Sequence, residues 1–90
     1  MNAVQNLFVA IRESCSSGIW SHGIELSRAG AVVGERLSEF ELAFQVRVRG
    51  TPVAATATLW LDDQEWDCDC RHREDVCMHV AAAVIGLKHA

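Results

Sequence analysis

Over residues 39–49, Phe40, Leu42, Phe44, Val46 and Val48 alternate with Glu39, Glu41, Ala43, Gln45, Arg47 and Arg49. A period of two gives a strand one buried and one wet face. Gly50-Thr51-Pro52 supplies turn chemistry, and residues 53–61 carry Val, Ala, Thr and Leu without a charge, which predicts the returning strand of a hairpin. Nearer the start, Val4, Leu7, Phe8 and Ile11 recur at i, i+3, i+4 and i+7, the spacing of an amphipathic helix, and Ser16-Ser17-Gly18 reads as its stop. From Ile19 the pattern becomes strand-like. Ile24 and Leu26 alternate with Glu25 and Ser27, and Gly30 and Gly34 punctuate the run to Glu35 and Arg36, predicting one or two short strands. Asp62-Asp63 closes the hairpin, and Glu65, Trp66 and Asp67 lead into a cysteine-rich stretch. After Asp75, read as an N-cap, residues 76–88 are rich in Ala, Val, Met and Leu and predict a helix.

These elements describe an α+β chain, and its size limits what holds them together. With 90 residues, 50% hydrophobic and 22% charged, it reads as one small domain that buries about 60 to 65 percent of its unfolded surface. Such a core supplies only ~3–5 kcal/mol, so a staple is expected, and four cysteines are the candidates. The longest nearly uninterrupted apolar stretch, residues 80–87, falls far short of the ~20 residues that cross a bilayer, so no membrane span is expected. The N-terminal segment lacks a basic leader and a small-residue cleavage site, which predicts a cytoplasmic chain whose thiols are reduced or metal-bound.

Three of the cysteines fall in one constellation: Cys68, Cys70, Cys77 and His79 form C-x-C-x6-C-x-H. Three thiolates and an imidazole are a standard tetrahedral set for structural zinc, with two ligand pairs brought together by a strand end and a helix start. Residues two apart on an extended segment point the same way, and a helix N-terminus at Cys77 favours thiolate. Three alternatives stay open on spacing alone. The cysteines could be buried or disulfide-paired, Cys68 and Cys70 could form a redox pair, or His72 could replace His79 as the nitrogen ligand.

The pattern C-x-C, spacer, C-x-H opening a helix resembles the SWIM-type zinc finger, and all four of its positions are filled here. The resemblance extends in style over residues 19–90, since family members carry β-strands before the C-x-C, although the spacer is short and Met78 stands where a lysine often precedes the histidine. It implies one structural Zn2+; with the N-terminal helix read from periodicity, which the resemblance does not cover, the expected organisation is a single domain over 1–90: an N-terminal helix (1–18), a small antiparallel β-sheet (19–67), and a zinc-stapled strand-loop-helix (68–90). Hosts of such fingers include bacterial Snf-type helicase-like ATPases, plant Mutator-type transposases and a MAP-kinase-kinase kinase, where the finger serves DNA or protein binding. The resemblance thus implies an interaction module rather than an enzyme, with a protein partner such as an ATPase of the helicase-like or MoxR type. No nucleophile–base arrangement or phosphate loop is present in the sequence.

Charge separates the two kinds of partner. The net charge is -4, and residues 62–75 hold seven acids against Arg71 and Arg73. Three thiolates around Zn2+ bring the total to about -5, so the zinc lobe repels phosphate and suits a basic protein surface. Nucleic acid is left with a sheet face bearing Arg28, Arg36, Arg47 and Arg49, or these arginines mark an ordinary solvated face. Cys15 reads as a small core thiol, and His22 and His89 as surface or packed histidines. Trp20, Trp60 and Trp66 read as core, with Trp66 the best interface candidate of the three. Finally, the last helix is apolar nearly all round and ends at Lys88-His89-Ala90 without a Gly or Pro stop. That predicts cover on several sides, from a longer chain, a partner or a second copy packing there.

Overall fold

Asn2 begins the fold by accepting the Gln5 N–H on its side chain at 2.8 Å, capping α1 (Ala3–Glu13). Its i, i+4 pair Leu7 and Ile11 is fully buried, as the periodicity predicts. The computed structural model describes residues 2–50, 52–70 and 75–89.

Ser16 does more than stop α1. Its Oγ accepts the Ile19 N–H at 3.3 Å and caps a second helix, α2 (Ser17–Arg28), where strands were expected. The strand reading of Ile24 and Leu26 is therefore corrected. Trp20, Gly23 and Leu26 form the buried side of a helix, and the core position at 23 carries no side chain to announce itself. The strand signal holds only further on, in β1 (Val32–Arg36).

Four strands then run as an antiparallel meander in the order β1-β2-β3-β4, with β2 (Glu41–Val46), β3 (Ala55–Trp60) and β4 (Glu65–Cys68). The β2–β3 hairpin pairs Leu42 with Leu59 and Phe44 with Ala57, uniting the apolar sides predicted for both strands. Gly50, at φ 90°, occupies the left-handed region in the connection, as a turn glycine should; Thr51 lies outside the described residues. In register, Gly34, Phe44, Ala57 and Cys68 form one row across the sheet on the core-facing side. The opposite side carries Glu35, Ala43, Thr58 and Asp67 in one row and Glu41, Trp60 and Glu65 in another.

The last helix, α3 (Met78–Lys88), contacts α1, α2 and every strand. His79 to Ile85 are all buried, so the cover an all-apolar helix needs comes from α1 and α2 on one side and the sheet on the other. Its closest neighbour is α2. A Cβ added at Gly23 would sit 2.7 Å from Ala81 Cβ and 3.0 Å from the Ala82 nitrogen, so the two helices cross at a contact that only glycine against alanine permits. No helix among the described residues is long and apolar enough to cross a membrane.

Candidate metal centre

Cys68 ends β4, directly across from Ala57, whose side chain is fully buried. The pleat therefore aims Cys68 at the core, and the turn that follows β4 brings the Cys70 sulfur to the same cluster. Asp69, between them, faces the other way and extends the ladder one rung. Its N–H donates to the Thr56 carbonyl at 3.2 Å, while its Oδ1 accepts the Thr56 N–H at 3.0 Å. A carboxylate here completes the pairing that the end of β4 leaves open, where the chain turns at Asp69 and Cys70.

The second ligand pair comes from the start of α3. Cys77, not Asp75, is its N-cap, with extended backbone (φ -95°, ψ 171°) and no side-chain capping bond. Cys77 is the residue whose side chain is turned to the cysteine cluster, which leaves Asp75 outside the helix. His79 follows in the first turn, so both face β4. Trp66 joins the two halves. It packs on the core and its indole N–H donates to the Asp75 carbonyl at 2.7 Å. Trp66 thus ties β4 to the segment before Cys77, in keeping with the core reading of the tryptophans.

Together these elements bring the Sγ atoms of Cys68, Cys70 and Cys77 and a ring nitrogen of His79 within 4.8 Å of one another. His79 Nδ1 lies 3.7 Å from the sulfurs of both Cys68 and Cys77. In a tetrahedron with metal–sulfur bonds of about 2.3 Å and metal–nitrogen bonds of about 2.0 Å, neighbouring donors stand about 3.5–3.8 Å apart. The donor set and spacing fit one metal ion. Cys77 and His79 are buried and Cys68 and Cys70 half-buried. His72, the alternative nitrogen ligand, lies outside the described residues with Arg71 and Arg73.

The thiols are electrostatically primed. The Cys77 thiol is pushed down to about 3, chiefly by a hydrogen bond from Cys68, then by His79 and the Val80 amide, against the opposing effect of burial. Cys68 moves the other way, because its proton is held in the bond to Cys77 and burial disfavours a second charge. One thiolate, Cys77, beside a Cys68 that keeps its proton is a nucleus for a cation.

The remaining sequence candidates lie elsewhere. Cys15 is half-buried at the end of α1, its thiol donating to the Ser16 carbonyl at 3.3 Å. His22 and His89 are exposed. Trp20 is buried in an edge-to-face contact with Phe8, centroids 5.2 Å apart, with Arg12 4.8 Å above its ring. Trp60 is half-buried on the outer side of the sheet, across from Glu41 and Glu65. The four arginines share no sheet face. Arg28 and Arg36 line a groove beside β1, whereas Arg47 and Arg49 lie past the end of β2 beside a different depression. The solvent side of the sheet carries acids instead: Glu35, Glu41, Glu65 and Asp67.

No protein-family model, curated protein or solved structure matches the chain.

Proposed function

We propose that this chain is a SWIM-type, zinc-stapled module that recruits a protein partner. The observation that carries the reading is the Cys68, Cys70, Cys77 and His79 group, within 4.8 Å at the junction of a strand end and a helix start. Zinc, bound there, supplies a crosslink between β4 and α3. Three sulfurs and one nitrogen favour zinc over magnesium or calcium, which take oxygen. Four protein donors leave no open position for water or substrate, which argues for a structural rather than a catalytic ion.

Protein is preferred to nucleic acid as partner on charge. A net charge of -4 and an outer sheet face bearing Glu35, Glu41, Glu65 and Asp67 oppose the phosphate attraction that dominates nucleic-acid affinity. The arginines that could offset this do not form one patch, since Arg28 and Arg36 line one groove and Arg47 and Arg49 a separate depression. A helicase-like or MoxR-type ATPase is the partner class that the SWIM resemblance suggests.

Elemental analysis of the purified chain should give one zinc per molecule, and Cys77→Ser should lose both zinc and cooperative melting. A Cys77→Ser chain that melts like the parent overturns the structural role. Gel shifts with duplex DNA at low and high salt should show no retained complex at high salt. A complex that survives there overturns the protein-recruitment reading.

A further inference from the structure

The layer formed by α2 and α3 extends past the last strand of the sheet. Beyond β1 this leaves an open groove of about 880 Å³, floored by Phe44, Val32, Ile85 and Leu87. That volume lies within the roughly 300–1,000 Å³ that ligand pockets span. Phe44 reaches the groove because its partner across the ladder is Gly34; a Cβ at Gly34 would stand 2.6 Å from the Phe44 ring.

The wall of the groove is an unpaired strand edge. Arg47 N–H donates to the Ala31 carbonyl and Leu37 N–H to the Glu41 carbonyl, so the odd-numbered residues of this segment face β2. By the alternation of an antiparallel ladder, the N–H and C=O groups of Val32, Gly34 and Arg36 point away from the sheet, where β1 has no neighbouring strand among the described residues. A strand added there would place every second side chain into the groove, since Val32, Gly34 and Arg36 share the side of the sheet that faces the helices.

Charge specifies the occupant. Arg28, in the last turn of α2, and Arg36 both line the groove, and the Arg36 guanidinium is steadied by donating to the Glu39 carbonyl at 2.7 Å. Among the described residues Glu35 is the one acid on the rim, in a chain whose net charge is -4. A locally cationic rim around an apolar floor fits a segment carrying carboxylates beside apolar groups.

We propose that β1 and this groove dock an extended peptide of a partner protein. The peptide adds as a fifth strand, with Val- or Leu-like residues at alternate positions and a carboxylate on the same face beside Arg28 and Arg36. This rests on the reading of the chain as a recruitment module and names the surface that does it. Backbone pairing supplies affinity and the groove supplies selectivity, as in other strand-addition recognition.

The test uses the zinc-loaded full chain, isotope-labelled, titrated with a capped heptapeptide of sequence Glu-Thr-Val-Thr-Leu-Thr-Glu. The expected result is shift change and slowed hydrogen exchange at the Val32, Gly34 and Arg36 amides. A peptide with Lys replacing both Glu residues should bind about tenfold more weakly, and Arg28→Glu should reverse that preference. Val32→Pro, which removes one outward N–H while sparing the ladder to β2, should weaken both peptides. Equal binding of the two peptides overturns the proposal. So do shifts confined to Thr56, Thr58 and Trp60 on the outer side, no protection at the three amides, or a peptide-free dimer that already protects them. Each of those outcomes leaves zinc stoichiometry and DNA binding as separate readouts, so the edge can fail while the module reading stands.

Discussion

Cys68 and Cys77 hold opposite protonation preferences at one site, and this sets how the site takes up a metal. Because Cys77 keeps its thiolate down to about 3, it contributes no proton at neutral pH. Cys68 is raised above the ordinary thiol range, so an ion that uses its sulfur must expel a proton. Zinc uptake at neutral pH should therefore release at least one proton per ion, and affinity should fall as pH falls, since acid favours the protonated form that competes with metal. Calorimetric titrations in two buffers of different protonation enthalpy measure this; identical heats in both would exclude the release. Asp69 offers a second test at this scale. Asp69→Asn keeps an oxygen to accept the Thr56 N–H and should melt close to the parent, whereas Asp69→Ala removes the acceptor and should cost about 1 kcal/mol or more. If Asn and Ala lose equally, negative charge and not the hydrogen bond is what matters. The four metal-binding candidates were legible in the sequence because spacing along a strand or helix start is a local property of the chain. Asp69 and Trp66 were not, because what defines them is a partner in another segment: Thr56, thirteen residues away, and Asp75, nine residues on.

Among the elements, the α2–α3 crossing is the most tightly specified contact. Gly23→Ala would drive a methyl group to 2.7 Å from Ala81 Cβ, with backbone close behind it, and should destabilise the fold by roughly 1–3 kcal/mol despite the better helix propensity of alanine. Gly18, in the first turn of the same helix, has nothing within 4 Å of an added Cβ. Gly18→Ala should accordingly stabilise by about 0.5–1 kcal/mol. Denaturant melts of the two variants check the pair, and a common sign would show that backbone entropy outweighs packing at this crossing. The same glycine explains why a helix was misread as strand. An apolar stripe with its central position empty leaves Ile24 and Leu26 to imitate a period of two, and Ser16 was read only as the end of α1 when its hydroxyl also starts α2. By contrast, the β2–β3 hairpin is readable, because alternating Leu42, Phe44 and Val46 and a turn with Gly50 at positive φ leave one register that buries them, while Phe40, before β2, stays exposed.

For the molecule as a whole, the metal site and the core cannot be separated into a finger and a scaffold. Cys77 is itself buried and packs in the main core cluster with Leu7, Ile11, Leu59 and Val84, which belong to α1, β3 and α3. From Cys77 onward the chain enters α3, which touches every other element. A structural zinc contributes an apparent ~10–16 kcal/mol at neutral pH, against the ~3–5 kcal/mol of a small core. Because α3 packs against every other element, losing a ligand should unfold the entire chain and not the C-terminal half alone. Chelation of the zinc-loaded protein should therefore remove the near-ultraviolet signal of Trp20, buried between α1 and α2, together with that of Trp66 beside the site. Both should follow the same curve as the backbone helix signal as chelator is raised. The probes separate if the premise is wrong: Trp66 would change first while Trp20, held by Phe8 and Arg12, kept its asymmetric environment. Zinc would then be ordering only the β4–α3 junction, and the helical layer would have to owe its stability to the Gly23 crossing and the buried faces of α1 and α2 alone.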